Sequence, residues 1–307
     1  MKRIAVLGSV VGVGLLTMTV AGFQQPPAPM VVEAEKIKDN LYVMKGGGGN
    51  SAVFIGSDGV TVVDTKNPGW GTPLLEKIKS VTDKPVVRII NTHTHGDHVS
   101  GNVEFPATVD VVVQEATKSN MEAMRAVSGL NPPPPGPTIF QKNNGKGLPK
   151  RTFKDSMAIG KGADEIELRH FGPAHTGGDA FVLFKALRVL HAGDAFHTRD
   201  IPIMDKNNGG SGVEFSATLA KAAQAYAGSV DMIINGHNPT TTTVADMKTQ
   251  SEFVADFVKF VQDAKRAGKS VDDVVAGWKT PSKYSGYANP QPNRVKGDAE
   301  VIFGETR

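Results

Sequence analysis

The feature that most constrains this chain is a short loop crowded with groups that bind metal ions. Residues 91–98 read Asn-Thr-His-Thr-His-Gly-Asp-His, which places three imidazoles and one carboxylate within six residues. The loop follows the apolar run 85–90, which is typical of a buried strand. Neutral imidazole and carboxylate suit zinc, and also iron or manganese. The pattern therefore predicts a metal site just beyond a strand; the alternative is a polar loop that happens to be rich in histidine.

The spacing within this loop suits two neighbouring groups of ligands. His93 and His95 are two residues apart, so their side chains point the same way from an extended backbone. Gly96 permits a sharp change of direction before Asp97 and His98. One loop can therefore present nitrogen and oxygen ligands to two nearby points.

The first residues have the pattern of an export signal. Lys2 and Arg3 precede an apolar segment over 4–20, which ends in small residues. This pattern predicts a signal peptide over residues 1–22 that is removed, followed by a disordered leader over 23–33. The alternative is an uncleaved membrane anchor, but the apolar run is short and contains glycines. We therefore expect a periplasmic or secreted protein with no stable membrane insertion after cleavage.

Composition limits both the ligands and the partners. The chain has no cysteine, so any metal would be held by histidine and carboxylate alone. Its formal net charge of +3 is dispersed over 307 residues, which argues against a nucleic-acid partner. The expected partner is a small-molecule substrate, and the sequence indicates no oligomeric state.

Strand and helix patterns extend over residues 34–280, which we interpret as one domain. The clearest signal is a hairpin, with strands over 51–55 and 60–64 around a glycine-containing turn. Asp64 ends the second of these strands and either supports the metal site or caps the next turn. Residues 281–307 are polar and poorly patterned, and we expect them to form a C-terminal tail.

Three further segments of this domain have recognisable sequence patterns. The four glycines at 46–49 are typical of a mobile hairpin tip or of a loop that folds over a site. The proline-rich run 131–137 begins an irregular basic segment, interpreted as a surface insertion near the mouth of the site rather than a domain boundary. Residues 152–159 and 165–170 are expected to pair like a hairpin.

Three further candidate ligands, His175, Asp194 and His237, each lie beside a predicted strand end. With the loop they form the ordered pattern His-x-His-x-Asp-His, then His, Asp and His. This pattern resembles that of the metallo-β-lactamase-fold hydrolases, and the resemblance runs from about residue 41 to residue 238. It implies an α+β fold, a four-layer αβ/βα sandwich in which two mixed sheets pack face to face between helices.

The resemblance also implies how the ligands are shared between two metal ions. The first metal would be held by His93, His95 and His175. The second would be held by Asp97, His98 and His237, and Asp194 would bridge the two metals. Seven nitrogen and oxygen ligands with a shared carboxylate suit two metals, with zinc expected and iron or manganese as alternatives.

The implied activity is that of an exported dinuclear hydrolase. A hydroxide shared by the metals would cleave an ester-type bond in a thioester, a lactone or a phosphodiester. Asp97 is the candidate catalytic residue, orienting the nucleophile and carrying its proton to the leaving group. Asp194 weighs against β-lactam hydrolysis, because true β-lactamases usually have another residue there. The remaining alternatives are a β-lactam hydrolase, a mononuclear-iron sulfur dioxygenase and a non-catalytic exported metal-binding protein.

Three other histidines have two interpretations each. His170 is expected to cap or pack rather than to bind metal. His191 either supports a ligand or is a satisfied structural histidine. His197 either reaches the substrate as a general acid or has no catalytic role.

Overall fold

The structure, a computed structural model, describes residues 30–132, 134–197, 199–238 and 240–306. The predicted signal peptide and residues 23–29 of the predicted leader lie outside these ranges. The strands are β1 Glu33–Lys38, β2 Leu41–Lys45, β3 Ser51–Ile55, β4 Val60–Val63, β5 Val86–Ile90, β6 Asp110–Gln114, β7 Arg151–Phe153, β8 Ser156–Ile159, β9 Ile166–Arg169, β10 Phe181–Phe184, β11 Val189–His191 and β12 Met232–Ile234. The α-helices are α1 Gly71–Lys79, α2 Gly96–Val99, α3 Glu115–Ala123, α4 Ile139–Lys142, α5 Gly212–Tyr226, α6 Val244–Arg266, α7 Val271–Gly277 and α8 Pro292–Glu305.

The strands form two sheets. The first has the order β1-β2-β3-β4-β5-β6-β7, antiparallel from β1 to β4 and parallel from β4 to β7. The second has the order β12-β11-β10-β9-β8, in which only β11 and β12 run parallel. The hairpin predicted over 51–64 is confirmed, with Val53 opposite Val62.

Two helical layers enclose these sheets. Apolar side chains of both sheets, such as Phe54 and Phe184, meet in a core between them. Helices α1 and α3 cover the outer face of the first sheet, whereas α5 to α8 cover that of the second. The longest helix, α6, buries an apolar stripe that includes Phe253 and Phe257. The predicted four-layer αβ/βα sandwich is therefore confirmed.

The topology gathers several strand ends at one edge of the sandwich. Parallel strands end at the same edge of their sheet, so the segments after β4 and β5 are neighbours, as are those after β11 and β12. Strand β10 is antiparallel to β11 and therefore begins at this edge. The edge carries Asp64 after β4, the loop over 91–98 after β5, His175 before β10, and Asp194 and His237 after β11 and β12.

Two expectations were wrong. Residues 152–159 do not form one strand, because the chain crosses from β7 in the first sheet to β8 in the second; only β8 and β9 pair as expected. The expected C-terminal tail contains α8, which buries Val295, Ala299 and Ile302 at helical spacing against the other outer helices. The helix contains Gly297, and its buried face includes Asp298, so the helical pattern is weak in the sequence. Within the described ranges, no helix is both long and apolar enough to cross a bilayer.

Candidate metal centre

The seven predicted ligands converge at the shared strand edge. His93, His95, His175 and Asp194 form one group whose ligand atoms all lie within 4.8 Å of one another, and all four are buried. The Nδ1 atom of His95 lies 3.0 Å from Nε2 of His175. These rings therefore aim different nitrogens at the same point, which is the arrangement that a single cation requires.

Asp97, His98 and His237 form the second group. The Nε2 atom of His237 lies 3.1 Å from Oδ2 of Asp97 and 3.3 Å from Nε2 of His98. His98 is fully buried, whereas the side chains of Asp97 and His237 are 29% and 32% exposed. This group therefore faces the solvent side of the site, where a substrate would enter.

Asp194 lies between the two groups. Its Oδ2 is 3.8 Å from Nε2 of His175 and 3.2 Å from Nε2 of His237, and its Oδ1 is 3.4 Å from Nε2 of His98. One carboxylate thus faces nitrogen ligands of both groups. This position is the one expected of a bridging ligand.

Carboxylates and a backbone carbonyl orient the rings from behind. Asp64 lies 2.7 Å from Nδ1 of His98, and it also accepts hydrogen bonds from the amide and hydroxyl of Thr92. Asp205 lies 2.8 Å from Nε2 of His95. Such partners fix the tautomer of a ligand histidine and direct its other nitrogen towards the metal. Nδ1 of His175 is held in the same way, 2.8 Å from the carbonyl of residue 203.

The role of Asp64, open between two interpretations in the sequence, is now assigned: it supports His98. Asp205 was missed, because it lies far along the chain from His95 in an irregular segment after β11. Burial opposes ionisation of Asp205, but hydrogen bonds from His95, the Ser128 amide and Asn208 outweigh it and lower its pKa to about 2. A buried carboxylate held ionised in this way fits a permanent partner for a ligand histidine.

Glycines make room for the ligands. A Cβ atom at Gly236 would lie 1.7 Å from Oδ1 of Asp194, and one at Gly49 would lie 2.2 Å from Cε1 of His98. Neither glycine has a positive φ, so what excludes a side chain there is the ligand packed against it. These two backbones therefore form part of the wall of the site.

The glycine segment 46–49 folds over the site and is held at both ends. The buried ammonium of Lys66 donates hydrogen bonds to the carbonyls of Met44 and Gly49, both at 2.6 Å. Burial lowers the pKa of Lys66 to about 7, although nearby carboxylates oppose this change. The amide of Gly49 also bonds to the carbonyl of Asp97. Of the two interpretations of this segment, the structure supports a loop packed on the site.

The residues present fit a divalent cation. Among the described residues, Nε2 of His93 and Oδ1 of Asp194 are buried without a hydrogen-bond partner, although both point into the cluster. Unpaired buried polar atoms are costly, and a cation would satisfy both. The donors are all nitrogen and oxygen, which suits zinc, iron and manganese.

The charges at the site are strongly coupled. Burial would lower the pKa of His98, but Asp194 and Asp97 outweigh it and raise that pKa to about 9. Burial would also lower the pKa of His237, but the same two carboxylates outweigh it and raise that pKa to about 10. The pKa of His93 is held well below its ordinary value by burial and by the neighbouring rings. Metal binding requires neutral rings, so it is expected to release protons from this cluster.

The other histidines have separate roles. Nδ1 of His170 lies 2.9 Å from the carbonyl of Asp179, away from the cluster. His191 is buried, with one ring nitrogen 3.2 Å from the carbonyl of Asn50 and the other accepting the amide of Gly193. Both are thus satisfied structural histidines. His197 instead lines the cavity above the cluster, with its ring edge towards His237.

This cavity has a volume of about 460 Å³. Its floor consists of ligand residues, and its rim combines polar and apolar side chains. It is lined by Asn67, His95, Gly96, Asp97, Val127, Leu130, His175, Asp194, His197, Ile203, His237 and Arg294. The segment after α3 contributes Val127 and Leu130 to this lining, and the C-terminal helix contributes Arg294. No described residue of the segment 131–151, which was expected near the mouth of the site, lines the cavity.

A two-sheet sandwich with a buried histidine and aspartate cluster at one edge defines a class of metal-binding proteins. A family model for the metallo-beta-lactamase superfamily matches residues 44–242, well over half of the chain. The chain belongs to this superfamily, as its ligand pattern implied. The superfamily binds divalent metals, and the donors of the cluster fit such ions.

Several known proteins are similar to this chain. The 2,4-dinitroanisole O-demethylase subunit alpha of Nocardioides sp. (strain JS1661) is 24% identical over 182 residues, which are 58% of this chain and 50% of that protein. The chain thus spans about half the length of this curated relative. A metallo-beta-lactamase from Pontibacter korlensis is 18% identical with a TM-score of 0.59, covering 73% of this chain and 99% of that one. The sec-alkylsulfatase Pisa1 from Pseudomonas sp. is 14% identical with a TM-score of 0.66, covering 90% of this chain and 50% of that one.

Proposed function

We propose that this protein is an exported hydrolase that uses two divalent cations to cleave an ester-type bond in a small molecule. The observation that carries the proposal is the position of Asp194, whose carboxylate faces both groups of ligands. Storage of one ion needs no carboxylate shared between two sites. Export is supported by the signal-peptide pattern of residues 1–22.

The ligand roles follow from the two groups. His93, His95 and His175 would hold the first cation, Asp97, His98 and His237 the second, and Asp194 both. Zinc is the proposed metal, with iron and manganese as alternatives that the same donors accept. Two bound cations would supply Lewis acidity and make hydroxide available near neutral pH.

Residues at the cavity would direct the chemistry. Asp97 reaches the cavity and is partly exposed, so its free oxygen can orient a water molecule and carry a proton towards the leaving group. His197 lines the same cavity and its buried Nδ1 has no hydrogen-bond partner among the described residues. Its side chain is therefore placed to contact the bound substrate. Thioesters, lactones and phosphodiesters are the proposed substrate classes.

Sulfate esters are a second candidate class of substrate. The similarity to the sec-alkylsulfatase covers 90% of this chain, whereas that to the Pontibacter korlensis metallo-beta-lactamase covers 73%. The larger coverage extends beyond the residues matched by the family model. The cations that the cluster would hold would supply the same Lewis acidity and hydroxide for a sulfate ester, so the donor set accommodates this class as well.

The test begins with metal analysis of the mature protein, followed by a panel of thioesters, lactones, phosphodiesters, sulfate esters and a β-lactam. We expect two metal ions per chain and turnover of at least one ester class. Chelation should abolish turnover, and zinc, manganese or ferrous iron should be compared for its recovery. The variant Asp194→Ala should lose activity with its secondary structure intact, whereas the surface variant Asp231→Asn should match the wild type.

Other results would contradict this proposal. Unchanged activity in Asp194→Ala would exclude the bridging role. One iron per chain together with oxygen consumption would indicate a sulfur dioxygenase. Bound metal without turnover of any compound in the panel would support a non-catalytic metal-binding protein.

A further inference from the structure

The C-terminal helix α8 brings a cation to the cavity from outside the segment that the family model matches. Arg294 lies in the first turn of α8 and lines the same cavity as several of the candidate ligands. It is partly buried, and one guanidinium nitrogen donates a 3.2 Å hydrogen bond to the carbonyl of Ile201. That hydrogen bond involves only one of the guanidinium nitrogens.

Arg294 forms no ion pair in the part of the chain that the structure describes. No carboxylate oxygen there lies within 4.0 Å of its guanidinium. The nearest acid along the helix, Asp298, interacts with Arg294 through space, but its hydrogen bond is to the backbone amide of Met204. A half-buried guanidinium that forms no ion pair can offer donors to an occupant of the cavity, and its planar fork matches a carboxylate.

An apolar wall lies beside this cation. Val127, Leu130 and Ile203 line the same cavity, and Leu130 is 52% exposed. The wall is built against both the site and the helix. The amide of Ser128 bonds to Asp205, the carboxylate that holds His95, and Gly129 lies against Gly297 of α8. The apolar wall, Arg294 and the ligand groups thus belong to one connected cavity.

We propose that Arg294 binds a carboxylate of the substrate that is remote from the cleaved bond. The apolar wall contacts the part of the substrate that joins this carboxylate to the cleaved bond. The inference rests on the proposed function and narrows it to amphiphilic anionic esters. The product of such a reaction retains the carboxylate and the apolar segment. A long-chain carboxylate should therefore bind to the cavity without reacting.

The first experiment measures binding and needs no turnover. Octanoate is titrated calorimetrically into the metal-loaded wild type, Arg294→Ala and Lys296→Ala. Lys296 lies on the same helix but outside this cavity, so its variant controls for the loss of one charge. We expect the alanine variant of Arg294 to bind octanoate about 10- to 100-fold more weakly, the usual effect of removing a charged hydrogen-bond partner. Equal affinities in all three proteins would overturn the proposal.

The second experiment compares mono-4-nitrophenyl succinate with its neutral counterpart 4-nitrophenyl pentanoate. Arg294→Ala should raise KM for the anionic ester about tenfold or more and leave the neutral ester nearly unchanged. Arg294→Lys should recover part of this preference, whereas Arg294→Gln, which keeps a donor for the carbonyl of Ile201, should not. An equal loss for both esters would indicate a structural role and overturn the inference. The wild type could hydrolyse neither ester while octanoate binding still depended on Arg294. That result would contradict the proposed ester hydrolysis and support the carboxylate site at Arg294.

Discussion

Substituting the two glycines of the site wall offers a steric test of the metal centre that leaves every ligand in place. A Cβ atom at Gly236 would lie 1.7 Å from Oδ1 of Asp194, whereas real Cβ atoms essentially never come within 3.0 Å of a neighbour. The carboxylate must therefore move by about 1.3 Å. At Gly49 the corresponding contact with Cε1 of His98 is 2.2 Å, so that ring must move by about 0.8 Å.

The two variants are expected to differ. A displacement of about 1 Å costs on the order of 100-fold in rate. Gly236→Ala moves the residue shared by both groups, so it should lower kcat/KM at least 100-fold and reduce the content of both metals. Gly49→Ala moves a ligand of the second group alone, so it should weaken one metal and spare the other.

The metal content per chain is measured after dialysis against a weak chelator. Circular dichroism of the same samples shows whether a loss of metal is accompanied by unfolding. Gly136→Ala is the control, because no atom lies within 4 Å of the Cβ position at that glycine. Full metal content and activity in Gly236→Ala would refute the argument that Asp194 must occupy its present position.

Two further predictions concern buried carboxylates. Asp205→Asn keeps the shape but removes the charge behind His95, so it should weaken the first metal about 10- to 100-fold, as measured by competition with a chromogenic chelator; unchanged affinity would contradict the orienting role. Burial raises the pKa of Asp298 from 3.8 to about 8. The folded protein therefore keeps this proton between about pH 4 and pH 8 while the unfolded chain does not, so the free energy of unfolding should fall as pH rises, by at most about 1.4 kcal/mol per pH unit. Asp298→Asn should remove this dependence between pH 5 and pH 7.5 in urea unfolding, and identical slopes in both proteins would exclude it.

The local part of the metal centre was readable in the sequence. His93, His95, Asp97 and His98 lie within six residues, so their proximity is imposed by the covalent chain. The apolar run 85–90 before them predicted a strand, and the structure confirms it as β5, Val86–Ile90. The more distant candidate ligands His175, Asp194 and His237 were proposed from their order along the chain and their places beside strands.

Longer-range contacts were decided only by the tertiary structure. Asp205 reaches His95 across 110 positions, in a segment without strand or helix periodicity, so no local pattern marked it. The crossing from β7 to β8 was hidden because both strands are short and only residues 154 and 155 separate them, so they differ mainly in the strands with which they pair. Alternation in the sequence reports that a face is buried, but it does not report which sheet buries it.

The C-terminal helix shows the same limit most clearly. Its apolar positions have helical spacing, yet the helix contains Gly297 and buries Asp298, and its helical state depends on packing against α5, α6 and α7. That packing, which is a property of the whole fold, also brings Arg294 to the cavity. The sequence alone thus determined the fold class, the ligand types and their order. The tertiary structure decided which carboxylates contact the candidate ligands and which cation lines the cavity, because those contacts join residues that only the folded chain brings together.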